Sequence, residues 1–85
     1  MRIIYLRFET VPGTGNDHLG PEIEHLAEQH AGRRGYESEA LARAAGRAAL
    51  SHAITTWHEL REERGARRVG LPTVRFVVFE PDEEP

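Results

Sequence analysis

Eighty-five residues suffice for one domain but bury only a modest share of the chain's surface, so an unreinforced core would be marginal. The chain has no cysteine, which rules out disulfides and thiolate-held metals as the reinforcement and leaves self-association as the expectation. All eleven basic residues are arginine, which excludes a P-loop lysine, a pyridoxal phosphate Schiff base and a Ser-x-x-Lys nucleophile, and the net charge of −3 lacks the basicity usual in nucleic-acid binders.

The first element is a strand over residues 2–9, rich in β-branched and aromatic side chains. Ile4, Leu6 and Phe8 share one face, and Ile3, Tyr5 and Arg7 the other. The apolar run at its start is four residues long and is followed at once by Arg7 and Glu9, unlike a targeting signal. No stretch approaches the ~20 apolar residues of a membrane span, so a soluble, cytoplasmic protein is expected, with no membrane partner.

Residues 11–20 form a turn-rich loop ending at Pro21, which suits the first turn of a helix. Ile23, Leu26, Ala27 and His30 recur at helical spacing, and Gly32 provides a stop, so a short amphipathic helix spans 21–31. Ser38 is an N-cap for a long helix running to Arg64, with Gly65 as its end.

The long helix has an apolar pattern that changes sides. Leu41, Ala44, Ala45 and Ala48 cluster on one face, and Leu50, Ile54 and Trp57 lie roughly opposite. This predicts contacts with two different surfaces. A continuous helix is expected, with a break near Gly46 as the alternative, because glycine weakens a helix by about 1 kcal/mol without forbidding it.

Residues 73–80 form a second strand, with Val74, Phe76 and Val78 facing opposite to Arg75, Val77 and Phe79. The acidic, proline-bounded residues 81–85 form a flexible tail outside a single domain of residues 1–80. Both strands are apolar on two faces, and two strands alone do not make an independently stable sheet. The expected fold is thus a small two-layer α+β domain of β-α-α-β order, its terminal strands paired and backed by a helical hairpin, completed by dimerisation.

Candidate chemistry is sparse. Glu22 and His25 are three apart on the first helix, with His18, His30, His52, His58 and Glu62 as further conceivable ligands, but no spacing matches a metal motif. Gly13-Thr14-Gly15 lies between strand and helix, where amides sometimes cradle phosphate, yet it lacks the spacing and lysine of such loops. Ser51 and His52 are adjacent and diverge on a helix, so no serine–histidine relay is present. No catalytic residue, no cofactor and no metal site is expected, and the chain is not read as an enzyme; a small metal-dependent enzyme is the remote alternative.

The residues most suggestive of a binding surface are Arg43, Arg47, Arg61, Arg64, Arg67 and Arg68. Arg43 and Arg47 are like charges at i, i+4, and with Arg61 they fall on one side of a continuous helix; the others gather at its end, where cations also complement the helix dipole. The expectation is a non-enzymatic interaction protein, a regulator, adaptor or inhibitor, that forms a homodimer and binds a protein partner. The alternative is a nucleic-acid-binding regulator using the arginine face.

Overall fold

The computed structural model describes residues 3–63 and 70–83. In chain order it contains strand β1 (Tyr5–Val11), helix α1 (Gly20–Ala31), helix α2 (Glu39–Glu63) and strand β2 (Thr73–Phe79), with single 3-10 turns at Asp17–Leu19 and Pro81–Glu83. β1 and β2 pair antiparallel along their whole length, from Tyr5 opposite Phe79 to Val11 opposite Thr73. The first and last strands meet in one small α+β fold, as their sequence patterns imply.

Helix boundaries follow local chemistry. Pro21 occupies the first turn of α1, and Gly32 ends it at φ +75°, donating its amide to the Glu28 carbonyl at 2.8 Å. At the start of α2 the Ser38 hydroxyl accepts the Leu41 amide at 3.2 Å, satisfying one of the orphan donors of the first turn. α1 and α2 form a hairpin, with Glu22 reaching Trp57 at one end and His30 stacking on His52 further along. α1 lies over β1 and α2 over β2.

α2 is continuous through Gly46, and its buried stripe does not change sides. Ala42, Gly46, Ala49, Ala53 and Trp57 are buried in a single row at helical spacing, whereas Leu41 is 54% exposed and Ala44 and Ala48 face outward. The expected face swap is therefore corrected. Weighting side chains by size misplaced the stripe, because the helix approaches the sheet too closely for large residues and buries its smallest ones there. Leu50 and Ile54 flank the row, half-buried against the core.

The core has two lobes. Phe8, Ile23, Ala27, Ala49, Ala53 and Trp57 form one, and Ile4, Tyr36 and Ala42 the other, with Leu6 touching both. The molecule measures 48 × 24 × 16 Å, the dimensions of one helix layer on one sheet layer. Among the described residues no helix is long and apolar enough to cross a membrane.

Candidate functional site

Alternation along the strands divides the sheet. Leu6, Phe8, Val74, Phe76 and Val78 pack toward the helices. The other face carries Tyr5, Arg7 and Glu9 from β1, opposite Phe79, Val77 and Arg75 of β2. The Tyr5 and Phe79 rings stack across the strands with centroids 6.0 Å apart. Ile3, 42% exposed, extends this apolar end. With only one helix layer present, this outer face is covered by no second layer of described residues.

The middle of the same face is charged. Glu9 accepts a hydrogen bond from Arg75 Nε at 2.7 Å and another from Arg7 Nη2 at 3.1 Å. The Arg75 hydrogen bond leads in holding the Glu9 carboxyl below its ordinary range; burial opposes it next in size, and the charges of Arg75 and Arg7 and the Arg7 hydrogen bond add to the lowering. A depressed carboxylate adds stability that is present above its unfolded pKa and lost as pH falls through the folded value. Glu9→Gln is thus expected to flatten the acid side of a melting-temperature profile relative to the unmodified chain, with little change near neutrality beyond loss of the pair itself. Parallel profiles would contradict the linkage.

The predicted arginine set is divided. Arg43 bonds Glu39 through Nε and Nη2 at 2.9 and 2.7 Å, so its charge is already paired. Arg47 is exposed and makes no ion pair among the described residues. Arg61 lies over the Trp57 ring, 4.9 Å from its centroid, with a buried Nε that has no described partner. Arg64, Arg67 and Arg68 lie outside the described residues.

The loop before α1 does not offer its amides outward. The Asp17 carboxylate accepts the amides of Gly13 and Thr14 at 3.1 and 3.3 Å and the Thr14 hydroxyl at 3.2 Å. The Gly13 amide leads in lowering the Asp17 pKa, with the Thr14 amide and hydroxyl assisting against desolvation. Two donors that a phosphate would need are thus occupied by the chain's own acid. His30 and His52 stack at 4.3 Å, and Thr56 Oγ1 lies 3.4 Å from His52 Nε2. Among the described residues, no group of three histidine, aspartate or glutamate side chains is placed to hold a metal ion.

Sequence inspection passed over Arg33 and Arg34, two adjacent cations after the stop of α1. Their signal is weak: two adjacent arginines directly follow the glycine stop of the helix, with Glu37 the next acid after them. Comparison of the chain with protein-family models, with curated proteins and with solved structures finds no match.

Proposed function

We propose that the chain is a small non-enzymatic interaction protein, acting as a regulator, adaptor or inhibitor, whose outer sheet face is covered by a second copy of itself. The observation supporting this is the apolar end of that face, where Ile3 is exposed and Tyr5, Val77 and Phe79 are half-buried, with no second layer of described residues over them. A two-stranded sheet with one bare apolar face is marginal in water, and burying that face against a second sheet about 10 Å away adds the missing layer. A two-fold axis brings the same patch against itself, and this patch carries both signs of charge, with Glu9 between Arg7 and Arg75. A rotated copy can therefore set acid against base around an apolar contact.

Val77→Glu tests this. It puts a charge into the apolar end without touching the helix-facing core, so equilibrium sedimentation is expected to shift from dimer to monomer while circular dichroism keeps its helical signal. Unchanged self-association in the variant would count against the face. The nucleic-acid alternative has a separate signature: retention on nucleic acid that weakens steeply with salt and is lost in Arg47→Glu. The pairing of Arg43 with Glu39 reduces the described part of that surface.

A further inference from the structure

Ile4 exchanges both backbone hydrogen bonds with Tyr36, its amide donating to the Tyr36 carbonyl at 2.9 Å and its carbonyl accepting the Tyr36 amide at 2.8 Å. Its backbone groups therefore point away from β2. Register along β1 and β2 is continuous, without a bulge, so alternation turns the amides and carbonyls of Leu6 and Phe8 toward the same outer edge. Among the described residues nothing bonds to them there. The connector from α1 to α2 thus begins a third antiparallel strand at Tyr36 and goes no further, because its bridge to Ile4 is isolated.

Where the connector departs from β1 it leaves a groove of about 310 Å³. Leu6, Arg7 and Phe8 line it together with Gly32, Arg33 and Arg34. The charge there is basic: Arg33 and Arg34 stand against the single carboxylate of Glu28, while Arg7 is paired with Glu9. Arg34 lies over the Tyr36 ring, 4.7 Å from its centroid, which positions the cation without neutralising it. Arg33 makes no ion pair among the described residues.

We infer that this groove takes an extended acidic segment of a partner protein, added as a strand to the free edge of β1. The inference rests on the protein-interaction function proposed above, but uses a different surface from the self-associating face. Added strands take affinity from main-chain hydrogen bonds and specificity from alternate side chains. The edge supplies a donor and an acceptor at half-buried Leu6, with those of Phe8, a residue only 3% exposed, next along it, and Arg33 and Arg34 meet the carboxylates. A nucleic-acid backbone fits less well, because phosphates only accept and would leave the edge carbonyls unpaired.

The probe is a short fluorescein-labelled peptide of alternating valine and glutamate, followed by anisotropy at low salt. Saturable binding is expected, weakened about tenfold or more in the double variant Arg33→Glu with Arg34→Glu. Circular dichroism of that variant must match the unmodified chain. If the added strand forms the ladder, N-methylation of one alternate set of peptide amides abolishes binding and methylation of the other set leaves it intact, because only one edge of the peptide faces β1.

Equal binding of both methylated peptides, equal binding of a valine–lysine peptide, or displacement by a single-stranded oligonucleotide with higher affinity overturns the inference. So does the absence of binding. A chain that still dimerises but binds no acidic peptide loses this groove assignment alone, whereas a monomer that binds the peptide loses only the face assignment.

Discussion

Gly46→Val is expected to unfold the chain under conditions where the unmodified protein is folded, and Gly46→Ala to lower its thermal midpoint. A Cβ at Gly46 would sit 2.6 Å from Cγ of the Phe76 ring and 2.7 and 2.9 Å from its two δ carbons. These contacts fall on the ring itself, which lies between α2 and the rest of the sheet, so relief requires moving helix or strand. Alanine gains about 1 kcal/mol of helix propensity over glycine, while overpacking of a core costs about 1–3 kcal/mol. The net is a loss of about 1 kcal/mol, or on the order of 5 °C in a domain this small. Valine adds two γ carbons in the same direction with a restricted rotamer, and its helix propensity offsets less. Thermal unfolding followed by the fluorescence of the single tryptophan measures both. A midpoint raised in Gly46→Ala would mean that helix and sheet stand further apart than these distances require.

Trp57→Ala is the second large effect. The indole is 2% exposed, lies in the larger core lobe with Phe8, Ile23 and Ala53, and donates its N–H to Glu22 Oε2 at 2.8 Å, tying α2 to α1. Truncating a buried aromatic to alanine costs about 3–5 kcal/mol. A chain of this length has on the order of 4–13 kcal/mol to lose, so the substitution removes from about a quarter to all of its stability and a large drop in the thermal midpoint is expected. Trp57→Phe separates the two contributions by keeping most of the apolar area and removing the donor. Its expected loss is about 1–2 kcal/mol, and Glu22→Gln should then have a smaller effect when combined with Trp57→Phe than in the unmodified chain. Chemical denaturation read by circular dichroism gives these values; additive losses would show that the indole and the carboxylate do not interact.

Both effects concern positions the sequence described unevenly. The terminal strands, the short helix ending at Gly32 and the Ser38 cap were legible because each has a local cause: β-branched alternation, a left-handed glycine, a hydroxyl placed three residues before an amide. The path of α2 was not. Leu41 and Ala44 looked like core and are exposed, while Gly46 looked like a weakness and is buried where any Cβ would meet the Phe76 ring. Which face of an alanine-rich helix is buried depends on how near its neighbours come, and that distance is a tertiary property.

The candidate surfaces divide in the same way. Arg43 and Arg47 stood out by their spacing, yet Arg43 is held by the nearby Glu39 as an i, i+4 pair. The cross-strand meeting of Arg7, Glu9 and Arg75 depends on register between residues far apart in the chain, which no local pattern reports. The free edge of β1 is less legible still. It follows from a single bridge between Ile4 and Tyr36 and from the connector's divergence afterwards.

Multi-angle light scattering of the unmodified chain over a dilution series at micromolar concentrations tests most directly whether a second copy covers the outer sheet face. The expected mass is twice that of the 9.6 kDa chain, falling toward one chain on dilution. A single-chain mass at every concentration would contradict it.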